Sequence, residues 1–170
     1  PLPSRFVNNY SKTKREAELL LENSKLDYII IRPRAIIGRG DTVIMPRLIK
    51  VHSEGRLKII GNGKNRVDLT SVDNVVESII LSIHADSKAL NNTYNITNGN
   101  PVSLWDSINI VLKGIGKEQV NKTVKFSVAY LAASILEWVS WITKKEPSLT
   151  KYSVGVLSKT FTLDISKSKE

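Results

Sequence analysis

Residues 10–23, YSKTKREAELLLEN, hold good helix formers with neither Gly nor Pro, and Lys14, Ala17, Leu20 and Leu21 fall close to one face. The pattern predicts a helix. LDYIIIRP follows, a nearly unbroken apolar run stopped by Pro33, as expected of a strand buried on both faces of a parallel sheet. A helix feeding a buried strand is the grammar of an α/β fold. RAIIGRGD then leaves the strand as a loop marked by Gly38, Gly40 and Asp41, and open sheets carry ligand sites on such loops at the carboxyl ends of strands.

Residues 45–52 predict a second helix, and LKII, GNGKN and RVDLTSV read as strand, tight turn and strand. Asp73 is expected to cap the next helix, in which Val76, Ile79, Ile80 and Ile83 recur at helical spacing and are expected to pack in the core. TYNITNG reads as a short strand with a turn, and Ser103 caps a helix over 104–113. Segment 126–143, FSVAYLAASILEWVSWIT, is apolar but interrupted by Ser, Glu and Thr, short of the about 20 apolar residues of a membrane span. Its reading stays open between a core or substrate-cavity helix, contact with a membrane through Trp138, Trp141, Lys144 and Lys145, and a true span. The remainder predicts a loop, a short helix, a strand and the start of another helix.

The chain has 170 residues, a formal net charge of +9 and 41% apolar residues, enough to support a core and to exclude a disordered chain. It has no Cys, so disulfide scaffolds and thiolate metal sites are excluded. His52 and His84 match no zinc-ligand spacing, and no metal is expected. The excess positive charge favours anionic partners, yet the Lys and Arg residues are dispersed without a basic arm or interleaved aromatics, so nucleic acid is not an expected partner. No secretory signal opens the sequence, and a cytoplasmic location is expected, with membrane association left open.

Tyr10 and Lys14 stand four apart on the first predicted helix, which puts both side chains on one face about a turn from each other. A free phenol ionises near pH 10, so proton exchange near neutrality needs positive charge close by, and an ammonium one turn away supplies part of it. The spacing alone is a weak signal; its context carries more.

Tyr10-Ser11-Lys12-Thr13-Lys14, then Tyr28-Ile-Ile-Ile-Arg32-Pro33, then Gly38-Arg-Gly40-Asp41, then Ile60-Gly61-Asn62-Gly63-Lys64-Asn65 and Val67 to Val75 form ordered blocks. Together they resemble the extended short-chain dehydrogenase/reductase superfamily over nearly the whole chain. Asp73-Asn74, the apolar segment 126–143, Glu146 to Thr150 and Phe161 to Asp164 make it most similar to the 3β-hydroxysteroid dehydrogenase/isomerase branch.

The resemblance implies an α/β fold: the C-terminal part of a Rossmann-type parallel sheet with a small mixed α/β substrate-binding lobe. The sheet part would span about 1–45 and 67–98, the lobe about 46–66 and 99–170. The dinucleotide fingerprint Gly-x-x-Gly-x-x-Gly and the upstream Ser or Thr of the superfamily would belong to a segment preceding Pro1, without which the chain is expected to be inactive. Tyr10 would be the general acid/base, Lys14 would favour the phenolate and bind the nicotinamide ribose, and Pro33, Ala35 and Ile36 would hold the nicotinamide through backbone groups. The implied cofactor is NAD or NADP, and the implied substrate a secondary alcohol or ketone on a small hydrophobic, steroid-like or lipid molecule, with a homodimer left open. Gly38, Gly40, Asp41 and Asp73 are expected to shape loop and helix ends.

A nucleotide-sugar epimerase or dehydratase is the competing enzyme reading. Those relatives commonly put Arg directly before the residue equivalent to Asp68, where this chain has Val67. From another class, a non-catalytic module binding membrane or protein remains open.

Overall fold

The computed structural model describes Phe6 and residues 8–170, so the first positions given above to the sheet part, 1–5 and 7, lie outside the described residues. The fold is mixed α/β, as expected. Helix α1 (Asn9–Glu22) starts at Asn8, whose Oδ1 accepts from Ser11 N at 2.8 Å, the ordinary N-cap arrangement. It leads into strand β1 (Ile29–Pro33), which lies parallel to β6 (Asn92–Ile96) from Ile29↔Asn92 to Pro33↔Ile96. Beyond Pro33 the chain makes β2 (Ile36–Ile37), parallel to β5 (Thr70–Ser71). Helix α2 (Ile44–Ser53), strand β3 (Ile59–Ile60), strand β4 (Arg66–Val67) and helix α3 (Val72–Ile83) complete the first half.

The second half holds β7 (Val102–Ser103), α4 (Leu104–Gly114), β8 (Thr123–Val124), α5 (Phe126–Thr143) and α6 (Lys151–Ser158). Most of its apolar burial lies here. One cluster joins Ile60, Ala129, Ala133 and Val154; the other joins Trp105, Ile108, Leu112 and Val120. Leu157 packs against both, and its carbonyl accepts from Trp105 Nε1 at 3.1 Å, so the indole is buried with its donor satisfied.

Four expectations are corrected. Strands β3 and β4 do not pair across the glycine turn: β3 lies parallel to β8 and β4 antiparallel to β7. Gly63, at φ +70°, approaches Ile59 too closely for a Cβ, so the turn serves close packing and divergence rather than a hairpin. RVDLTSV is two strand pieces, because the buried Asp68 between them accepts from Leu163 N at 2.6 Å instead of extending one strand. The α3 cap is Ser71, whose side chain accepts from Asp73 N, leaving Asp73 in the first turn, where a carboxylate favours the helix dipole.

The apolar stripe of α3 is not core: Val76, Ile79, Ile80 and Ile83 are 47–73% exposed. Helix α3 packs against β1, β2, β5 and β6, while Val72, Val75, Ser78 and Ser82 are its less exposed positions. The inward hydroxyls of Ser78 and Ser82 are satisfied by Val75 O and Ser78 O. Likewise α5 buries only Ala129 and Ala133, so it lies on the surface of the described residues.

Helix α1 buries no residue, and a charged fork ties it to the sheet. Arg32 Nε donates to Glu18 Oε1 at 2.6 Å and Arg32 Nη2 to Glu18 Oε2 at 2.5 Å, while Arg15 bonds both Glu18 and Glu22. Bidentate geometry makes this the stronger kind of ion pair. The Arg32 hydrogen bonds hold the Glu18 carboxyl below the usual carboxylate range, against burial. Its contribution is therefore complete above the unfolded carboxyl value of about 4.3 and lost as pH falls through the lower folded value. Thermal unfolding should show wild type more stable than Glu18→Gln at pH 7 and the two converging toward pH 3; a constant gap across that range contradicts the assignment.

Candidate active site

Tyr10 lies in the first turn of α1, with Lys14 one turn on. The Lys14 ammonium is 5.7 Å from the centre of the Tyr10 ring, so the expected common face is present. The Tyr10 side chain is open to a ligand, at 69% exposure. Glu18 continues the same i, i+4 progression and is the residue gripped by Arg32, directly before Pro33. One helix face thus carries, in order, a phenol, an ammonium and the carboxylate that anchors it to the end of β1.

Beyond Pro33 the backbone is fixed by Thr70, which is 0% exposed. Arg34 N donates to Thr70 Oγ1 and to Ile96 O, each at 3.3 Å, and Thr70 N donates to Ala35 O at 3.2 Å. The Thr70 hydroxyl reaches both Arg34 O and Ile96 O; its one proton is shared between these two acceptors. Ala35 sits at φ +46°, a left-handed conformation that costs a non-glycine residue about 1–2 kcal/mol. Such strain persists where neighbours over-determine the backbone; here strand pairing on both sides and the Thr70 bonds do so. Ile36 then pairs with Thr70 in β2–β5. Pro33, Ala35 and Ile36 therefore form one rigid turn at the carboxyl end of β1.

The following loop is structural, as expected. A Cβ on Gly38 would collide with Val72 Cγ1. Asp41 accepts from Val43 N, Ile44 N and Met45 N at 2.8–2.9 Å, which starts α2. Those backbone donors, Val43 foremost, keep its carboxyl below the usual range.

Three residues of the region were not singled out in the sequence. Thr70 and Asp68 are polar positions alternating with Val67 and Leu69, and a polar residue inside an otherwise apolar strand is the only signal that could have marked them. Arg34 places its guanidinium carbon 3.8 Å from the centre of the Phe161 ring. Burial pulls this guanidinium below its ordinary value, opposed by Tyr152 and Asp68. Arg66, by contrast, faces solvent and its Nη2 binds Pro101 O.

A nicotinamide dinucleotide fits what is present: an open phenol–ammonium pair for an alcohol oxygen and ribose hydroxyls, and a rigid turn for a flat carboxamide ring. Among the described residues no three His, Cys, Asp or Glu side chains gather as a metal site would require.

The chain is 32% identical over 160 residues to the 2-alkyl-3-oxoalkanoate reductase of Stenotrophomonas maltophilia, covering 89% of this chain and 48% of that protein. It is 33% identical over 186 residues to the 3beta-hydroxysteroid-dehydrogenase/decarboxylase isoform 1 of Arabidopsis thaliana, covering 100% and 42%. The chain thus spans less than half the length of these relatives. Among solved structures, UDP-glucuronic acid 4-epimerase from Bacillus cereus in complex with NAD superposes with a TM-score of 0.59 at 25% identity, over 74% of this chain and 42% of that one. A family model for the 3-beta hydroxysteroid dehydrogenase/isomerase family matches residues 1–128, and the chain belongs to that family.

Proposed function

We propose that the protein carrying this chain is an NAD(P)-dependent oxidoreductase acting on a secondary alcohol or ketone of a hydrophobic substrate. In this reading residues 1–45 and 67–98 belong to a Rossmann-type sheet and 46–66 and 99–170 to a substrate-binding lobe. The two apolar clusters, drawn from Ile60 and from 105–154, support a lobe with its own core. The observation that carries the proposal is the Tyr10–Lys14 face of α1, anchored through Glu18 to the strand that ends in the left-handed Ala35 turn.

The bound dinucleotide supplies the hydride acceptor or donor. Tyr10 exchanges the proton of the alcohol oxygen, Lys14 hydrogen-bonds the ribose, and the backbone of Pro33, Ala35 and Ile36 holds the carboxamide ring. In oxidation the carbinol C–H leaves as hydride while its O–H proton passes to Tyr10, leaving the ketone.

The names of the two relatives narrow the substrate: one reduces a 3-oxoalkanoate and the other pairs dehydrogenation with decarboxylation. The first name puts a carboxylate on the carbon beside the reacting carbonyl, and the second requires a carboxyl group on a steroid. The sugar-nucleotide reading is disfavoured because the position before Asp68 is the buried Val67, while Arg66 lies on the opposite side of the strand, tied to Pro101.

A second reading concerns α5. Val128, Leu131, Ile135, Trp138 and Ile142 recur at alternating spacings of three and four and are each more than half exposed. Glu137, the one charged residue of the helix, pairs with Lys151 on another face. Lys144 and Lys145 follow its end, and each adds about 1 kcal/mol near an anionic membrane surface. We infer that this face contacts a membrane peripherally.

Tyr10→Phe should lower turnover of the intact enzyme by about 100-fold or more with NAD(H) or NADP(H) affinity nearly unchanged; undiminished turnover rejects the role of Tyr10. The chain should float with phosphatidylglycerol vesicles at low salt and lose this on replacing Trp138 and Trp141 by Ala, whereas no flotation of the unsubstituted chain rejects the membrane contact.

A further inference from the structure

Arg34 is a cation fixed in place without a matching anion. Its backbone is held by Thr70 and Ile96, and its guanidinium is stacked at 3.8 Å on Phe161. Nε is buried without a hydrogen-bond partner, and among the described residues no carboxylate comes within ion-pair distance. Asp68 is the acidic group whose charge reaches it, but that carboxylate is engaged by Leu163 N at 2.6 Å. Tyr152, the other group bearing on it, is a phenol. A guanidinium stripped of water on one side gains from an anion on the other, and its planar fork suits a carboxylate bidentately.

The position of this cation gives it meaning. Arg34 stands between Pro33 and Ala35 in the turn proposed to hold the nicotinamide. With the nicotinamide held on this turn, the reacting carbinol lies against it, and Arg34 is the cation of the turn left for an anion on the neighbouring carbon.

We propose that Arg34 binds the carboxylate of a β-hydroxy or β-oxo acid, which makes it the residue that selects acids over simple hydrophobic alcohols. The proposal rests on the reading of Tyr10 and the Pro33–Ile36 turn as the redox site. Phe161 supports it as a rigid platform: its backbone N donates to Arg66 O at 2.9 Å and it bridges Val67, so the guanidinium is pre-oriented and little ordering is left for binding.

The test uses the intact enzyme, a long-chain 2-alkyl-3-hydroxy acid, and the secondary alcohol of the same chain lacking the carboxyl group. Arg34→Gln should lower kcat/KM for the acid by about 10- to 100-fold, mostly through KM, as expected for losing a charge-assisted pair. Arg34→Lys should recover part of the loss. Oxidation of the alcohol and dinucleotide affinity should each stay within about twofold. An equal loss on both substrates assigns Arg34 a structural role and overturns the proposal, as does an unchanged acid. Loss of dinucleotide affinity assigns the cation to a cofactor phosphate and also overturns it. A wild type that oxidises the alcohol but not the acid overturns the carboxylate site while leaving the dehydrogenase reading intact; oxidation of neither removes both.

Discussion

A single buried hydroxyl governs the geometry at the carboxyl end of β1. Thr70 reaches the carbonyls of Arg34 and Ile96, accepts from Arg34 N, and gives its own N–H to Ala35 O. Strands β1 and β6 are thereby pinned to β5 where the chain must turn left-handed at Ala35. Neither glycine nor a loose loop relieves that turn. It is held by backbone pairing and one side chain without exposure, so the strain is stored locally, as at sites where backbone groups must be presented in a fixed direction.

The second constraint is electrostatic. Helix α1 buries no side chain, and its register over the sheet rests on the Glu18–Arg32 fork, reinforced by Arg15. The helix that carries the phenol and ammonium is therefore located by charge and hydrogen bonding, while the half holding α4, α5 and α6 is located by apolar packing around Trp105, Leu112, Ala133 and Val154. The two arrangements respond to different conditions: acid weakens the first and leaves the second untouched.

Much of this was legible in the sequence. The helix over 10–23, the strand ending at Pro33, the loop-shaping role of Asp41 and the cap at Ser103 follow from periodicity and short-range hydrogen-bond chemistry, and all are present, although of that strand only Ile30 is buried rather than both faces. Periodicity failed where it had to name a partner. Val76, Ile79, Ile80 and Ile83 do form one apolar face, but spacing says only that a face is apolar, not what covers it. The inward face of α3 uses Ser78 and Ser82, whose hydroxyls bond back to the helix and so leave no polar signal. The strand–turn–strand at GNGKN differs for a related reason: the glycines permit a turn, while pairing of β3 with β8 and β4 with β7 depends on residues far along the chain. Thr70 and Arg34 carry little signal in the sequence, because a hydroxyl in a strand and an arginine after a proline are ordinary until their neighbours are known.

The turn stands on the Thr70 hydroxyl, and the most direct measurement compares Thr70→Val with Thr70→Ser in the intact enzyme. Serine keeps the hydroxyl and valine keeps the shape. Valine should lose about 1–3 kcal/mol of stability, the cost of unsatisfied buried carbonyls, together with dinucleotide-dependent turnover, while serine retains most of both. A valine variant that matches wild type in unfolding and in turnover would contradict the claim that this hydroxyl holds the turn.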